Sequence, residues 1–101
     1  MKVRFLPDAR REFNEALAYY YRLRPLKARN FLVLARRMGA ELAEYPEARP
    51  TIAAELHEHG LIGFRESLIY RIDPEGICVV ACAHPGYRPG GEASLRSKVL
   101  T

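Results

Sequence analysis

No run of apolar residues in this chain approaches the ~20 needed to span a bilayer, so the sequence excludes a transmembrane helix. The first residues, Met1-Lys2-Val3-Arg4-Phe5-Leu6-Pro7, lack the apolar core of a signal peptide, and a cytoplasmic protein is expected. Cysteine is scarce, at two residues, Cys78 and Cys82. Four positions apart on one expected strand, they stand about 13 Å from each other, beyond the ~7 Å that a disulfide tolerates. They read as free thiols acting as small buried hydrophobes. Histidine is also scarce. His57 and His59 can share one strand face, with His84 at a neighbouring strand end, but nothing in that spacing defines a metal geometry. No metal and no cofactor are expected. Carboxylates are the minority charge, 12 Asp and Glu against 16 Lys and Arg, for a net charge of +4 and a pI near 9.3. That balance permits an acidic partner, nucleic acid or protein, without choosing between them.

What the chain does have is an ordinary globular composition. Its 101 residues are 49% hydrophobic and 28% charged, which describes one domain with a single modest core. Lys2-Val3-Arg4-Phe5-Leu6 alternates polar and apolar, the pattern of a short first strand with Val3 and Phe5 toward the core. Pro7-Asp8 then opens a helix, because proline suits the first turn and aspartate complements the helix dipole. Ala9, Phe13, Ala16, Leu17 and Tyr20 form its apolar stripe. Tyr19, Tyr20 and Tyr21 are consecutive, so they cannot all face one core. Pro25 stops this helix after Arg24. A second helix is expected over Leu26–Tyr45, with Phe31, Leu34, Ala35, Met38, Leu42 and Tyr45 spaced by three and four. Its outer face is basic early, with Arg36 and Arg37, and acidic late, the reverse of what the dipole prefers. Pro46 ends it. Residues 51–60 read equally as a turn of helix or the approach to a strand. Residues 60–65 are expected to form the strand before the closing hairpin, with Gly60 and Gly63 as weak points.

The most informative stretch is Phe64–His84. Leu68-Ile69-Tyr70-Arg71-Ile72 is β-branched and aromatic, and Asp73-Pro74-Glu75-Gly76 has turn chemistry. Ile77–Ala83 is a nearly continuous apolar run, as expected of a strand buried on both faces. Such a hairpin needs an amphipathic cover, which the two helices supply. The pattern therefore predicts an α+β domain of order β-α-α-β-β-β. In it an N-terminal strand precedes a helical hairpin packed on one face of a small antiparallel β-sheet.

Ser67-Leu68-Ile69-Tyr70-Arg71-Ile72-Asp73, the turn, and Ile77–His84 resemble the closing hairpin of the ParE/RelE toxin superfamily. More narrowly they resemble its ParE, or plasmid-stabilisation, branch. The Ala- and Tyr-rich Leu17–Tyr21 segment and the helix ending in Tyr-Pro-Glu-Ala-Arg-Pro fit the same pattern. The resemblance implies the same fold and a toxin of a type II toxin–antitoxin module. Such a toxin acts on a cellular target, DNA gyrase in characterised members, and forms a hetero-oligomer with a cognate antitoxin. Its partner-binding candidates here are Arg36, Arg37, Arg65, Arg71, Tyr87 and Arg88. The superfamily's mRNA-cleaving branch implies the alternative, a metal-independent endoribonuclease on RNA at the ribosome, using Arg65, Arg71, His84 and Arg88. This chain departs from that branch, with Ser67 where arginine is typical and only Arg88 basic after His84. A third alternative is a non-toxic domain that only binds an antitoxin.

Overall fold

The computed structural model describes residues 2–47, 51–53 and 55–83. The order is β1 (Lys2–Phe5), α1 (Pro7–Leu23), α2 (Pro25–Glu44), β2 (Thr51–Ala53), β3 (Leu56–Gly60), β4 (Ser67–Asp73) and β5 (Gly76–Ala83). The strands form one sheet in the order β1-β5-β4-β3-β2. The protein is α+β, with both helices packed on one face of that sheet.

Three expectations are corrected. The sheet is mixed, not antiparallel, because β1 pairs parallel with β5, Val3 opposite Ile77 and Phe5 opposite Val79. Parallel pairing needs a long crossover, here almost the whole chain, and no local pattern encodes it. Among the described residues there are five strands, since Thr51–Ala53 and Leu56–Gly60 pair as β2 and β3, with Glu55 at positive φ before β3. Residues 61–66 form a tight turn where a strand was expected. Leu61 N donates to Glu66 O, Phe64 N donates to Leu61 O, and Gly63 takes a φ of 88°. Glycine adopts that conformation without steric cost, so Gly63 marks a reversal of the chain, while Gly60 stays in β3.

The helices begin as the prolines require. Pro7 and Pro25 each sit in a first helical turn, and neither helix has a side-chain cap at its N-terminus. Arg24 is the one residue between them, extended at φ −167° and ψ 121°, because a residue preceding proline is pushed out of the α region. It closes α1 by donating its N–H to Tyr20 O and starts α2 by accepting from Lys27 N. The two helices therefore turn through a single fixed corner.

Ala9, Phe13, Ala16 and Tyr20 of α1 and Ala28, Phe31, Met38 and Leu42 of α2 meet Leu68, Tyr70, Ile77, Val79 and Cys82 of the sheet. Phe31 is the aromatic hub, 5.1 Å in ring centroid from Phe13, Tyr20 and Phe64. Tyr20 is buried, Tyr19 half-buried and Tyr21 exposed, as three consecutive helical positions must diverge. Tyr45, expected in the stripe, lies just past α2 and is exposed.

β5 is buried from Gly76 through Cys82. Its pairing with β4 slips by one residue, Ile69 facing Ala81 while Tyr70 faces Val79, so Val80 is an extra residue in the strand. The slip reverses side-chain parity. Ile77 and Val79 join Cys82 in the helix-side core, whereas Cys78, Val80 and Ala81 join Leu56 and Ile69 in a second buried cluster. The two cysteines thus belong to opposite faces of the sheet, both buried and unpaired.

At the β4–β5 turn, Asp73 Oδ1 accepts the N–H groups of Glu75 and Gly76 at 3.0 and 3.1 Å. Gly76 has a φ of 135°, and a Cβ there would fall against the backbone of Lys2, its partner across β1. Gly76→Ala should therefore lower stability by about 1–3 kcal/mol. Gly39, inside α2 with open space around it, is the contrasting position. Gly39→Ala should raise stability by about 0.5–1 kcal/mol. Urea midpoints of the two variants should move in opposite directions.

Candidate functional site

The candidates from the sequence occupy separate places. Arg36 and Arg37 are exposed on α2. Arg65 is exposed on the β3–β4 turn, its guanidinium 4.5 Å above the Tyr19 ring. Arg71 is half-buried near the far end of β4, its Nε 3.9 Å from Asp73 Oδ2. The two cations have separate neighbours, the Tyr19 ring for Arg65 and Asp73 for Arg71. His84, Tyr87 and Arg88 lie outside the described residues.

Tyr70 and the histidines of β3 have structural partners. Tyr70 is fully buried, donates its hydroxyl to Pro46 O at 2.8 Å and stacks on His57 with centroids 5.1 Å apart. His59 is buried beside it on the helix side. Its Nδ1 donates to the Gly60 carbonyl at 2.9 Å, and Nε2 lies 3.9 Å from Glu41 Oε1. Among the described residues no three His, Cys, Asp or Glu side chains come together as metal ligands.

On the helix-free face, Arg4 and Arg71 flank Asp73. Arg4 Nη2 is 2.7 Å from Asp73 Oδ2. This bond, helped by the two turn N–H groups, holds the Asp73 carboxyl below its usual range. It joins β1 to β4 across β5.

The helix side of the sheet carries a polar junction that the sequence does not announce. Tyr20 Oη donates to Glu66 Oε1 at 2.6 Å, and Arg65 N donates to Tyr20 Oη at 3.3 Å. Burial, then the bond to Glu66, pushes the Tyr20 hydroxyl above its ordinary pKa and keeps it a donor. Nearby, Glu12 Oε1 accepts the backbone N–H of Cys82 at 3.1 Å. Burial first, then Glu66 and Glu12, pushes the Cys82 thiol up to about 12, so it stays a neutral, unreactive thiol. The junction ties the β3–β4 turn to α1.

Beside this junction is a groove of roughly 470 Å³ lined by Leu23, Arg24, Leu26, Lys27, Asn30 and Phe64. It lies where the helical corner meets the β3–β4 turn. Lys27 Nζ stands 5.3 Å from the Phe64 ring and 5.8 Å from the Tyr20 ring. Leu23 and Leu26 are 60% and 58% exposed, unusual for leucines beside a core. The signal that could have marked this region is charge spacing. Residues 16–40 contain Arg22, Arg24, Lys27, Arg29, Arg36 and Arg37 and no Asp or Glu. A net charge of +4 for the whole chain hides a segment that carries +6 by itself.

Compared with known proteins, the chain matches no family model and no curated protein.

Two outcomes are expected. Tyr20→Phe leaves the buried Glu66 carboxylate without its donor and should cost about 1–3 kcal/mol of stability. The variant's unfolding midpoint checks it. The Asp73 carboxyl has a depressed pKa, so the stability it contributes is complete above the ordinary value near 3.9 and is lost as pH falls through the folded value. Asp73→Asn removes that dependence. The gap between parent and variant should be widest near neutral pH and should narrow below about pH 4 in urea melts at each pH.

Proposed function

We propose that this protein is the toxin of a type II toxin–antitoxin pair, ParE-like, that arrests growth by binding a cellular target and is neutralised by a cognate antitoxin. The target to test first is DNA gyrase. The observation that carries this reading is the basic helical hairpin, with six cations and no carboxylate across residues 16–40. That hairpin lies on a sheet whose centre is the stretch resembling the family. The order of a strand, two helices and an antiparallel β3–β4–β5 meander is also what the resemblance implies.

A toxin of this kind works by association. A basic surface with apolar anchors steers an acidic segment into contact and then holds it by burial. The cleavage reading needs cations gathered around one phosphate, whereas Arg65 lies over the Tyr19 ring. Arg71 lies instead beside the Arg4–Asp73 pair.

The test is inducible expression of the chain alone and with the product of the adjoining reading frame, together with supercoiling by purified gyrase. Growth arrest relieved by co-expression, with supercoiling inhibited and cellular mRNA intact, is the expected result. Arrest with mRNA cleaved would replace this reading by the endoribonuclease. No arrest, with the partner still bound, would leave a non-toxic antitoxin-binding domain.

A further inference from the structure

We propose that His59 and Glu41 form an acid-responsive clasp, in which uptake of a proton at His59 Nε2 closes an ion pair that fastens the C-terminal half of α2 to β3. The starting geometry leaves one atom unserved. His59 is 6% exposed, and its Nδ1–H donates to the Gly60 carbonyl at 2.9 Å, so Nε2 carries only a lone pair. That Nε2 is buried and has no hydrogen-bond partner. At 3.9 Å from it stands Glu41 Oε1, a second acceptor. Two acceptors facing each other make no bond, and a buried polar atom left unpaired is costly.

A proton resolves the conflict. On Nε2 it turns the lone pair into a charged donor beside a carboxylate, and such pairs close to about 2.8 Å. Glu41 has room for the movement of ~1 Å that this requires, because 47% of its side chain is exposed. Histidine suits the role, since it is the side chain that ordinarily changes charge between pH 8 and 5.

Burial of the ring opposes the charge, and the carboxylate favours it. The remaining groups around the ring are engaged elsewhere or uncharged. β4 offers Leu68 directly opposite His59, and Tyr70, whose hydroxyl goes to Pro46 O. On the turn after β3, Glu66 is engaged by Tyr20 and Arg65 lies over the Tyr19 ring. His57, two residues back on β3, stacks on Tyr70, and β2 carries no charged residue. On α2, Arg37 and Glu44 lie a turn to either side of Glu41, both exposed. Glu41 is therefore the group that answers the imidazolium.

The end of α2 is otherwise held by Met38 and Leu42 in the core and by the Tyr70–Pro46 bond just beyond the helix. Neither holds a group that changes charge between pH 8 and 5, so the clasp adds a fastening that acidity alone controls. It is independent of whether the protein arrests growth.

The experiment follows the ring nitrogens of His59 in the full chain by two-bond nitrogen–proton correlation from pH 8 to pH 5. Amide shifts and hydrogen exchange are recorded alongside. At pH 8 the ring proton should sit on Nδ1. Toward pH 5 Nε2 should gain its proton, and the amides of Glu41 and His59 should shift with one shared midpoint. Amide exchange in residues 38–44, corrected for its intrinsic pH dependence, should slow roughly threefold. Glu41→Gln keeps the side-chain shape and offers Nε2 a neutral donor. It should move the His59 midpoint down by about half a pH unit and abolish the slowing. Glu15→Gln, at an exposed position on α1, should change neither. A proton on Nε2 at pH 8 would overturn the proposal. So would an unchanged His59 ring down to pH 5, or a midpoint indifferent to Glu41→Gln.

Discussion

Burial of β5 on both faces is the constraint from which the remaining structure follows. A strand with apolar side chains from Ile77 to Ala83 cannot present either face to water, and it cannot end a sheet without exposing an edge. It therefore takes β4 on one side and β1 on the other, and it has apolar clusters above and below. β1 reaches it only because Gly76 leaves room for the backbone of Lys2. The Arg4–Asp73 pair then joins the two flanking strands across it. The slip at Val80 distributes seven apolar residues between two cores, which an unbroken strand would have divided differently.

The helical hairpin answers to a second constraint. Its inner stripe is committed to the Phe13–Phe31–Tyr20 cluster, and its corner is set by one residue before a proline. Polar groups near the junction are paired inward. Tyr20 with Glu66, and Glu12 with the Cys82 amide, absorb the carboxylates that could have balanced the surface charge. What remains outside is cationic and aliphatic.

Much of this was legible in the chain. Pro7 marks the start of α1 and Pro25 the break after it, the stripe through Phe13, Tyr20, Phe31, Met38 and Leu42 marks the inner faces of both helices, and Asp73–Gly76 marks the central turn. Tyr45 misled because its spacing continues the stripe one position past the end of α2. Gly60 and Gly63 misled because glycine inside an apolar segment signals either a weak strand or a turn, and local composition does not distinguish them. The charge of the hairpin was present as a stretch without acid, obscured by acidic residues at both ends of the chain segment around it.

By itself the sequence determined the first strand, the two helices and the closing hairpin with their buried faces, because period, proline and turn chemistry act within a few residues. It also determined that residues 16–40, the middle of the hairpin, carry six cations and no carboxylate. Only the tertiary structure decided that β1 runs parallel to β5, that Val80 slips the register and parts the two cysteines, and that Phe64 meets Leu23, Leu26 and Lys27 in one groove. Those outcomes depend on contacts between residues dozens of positions apart. Their partners are chosen by which arrangement buries every apolar face at once, a condition on the whole chain that no local window contains.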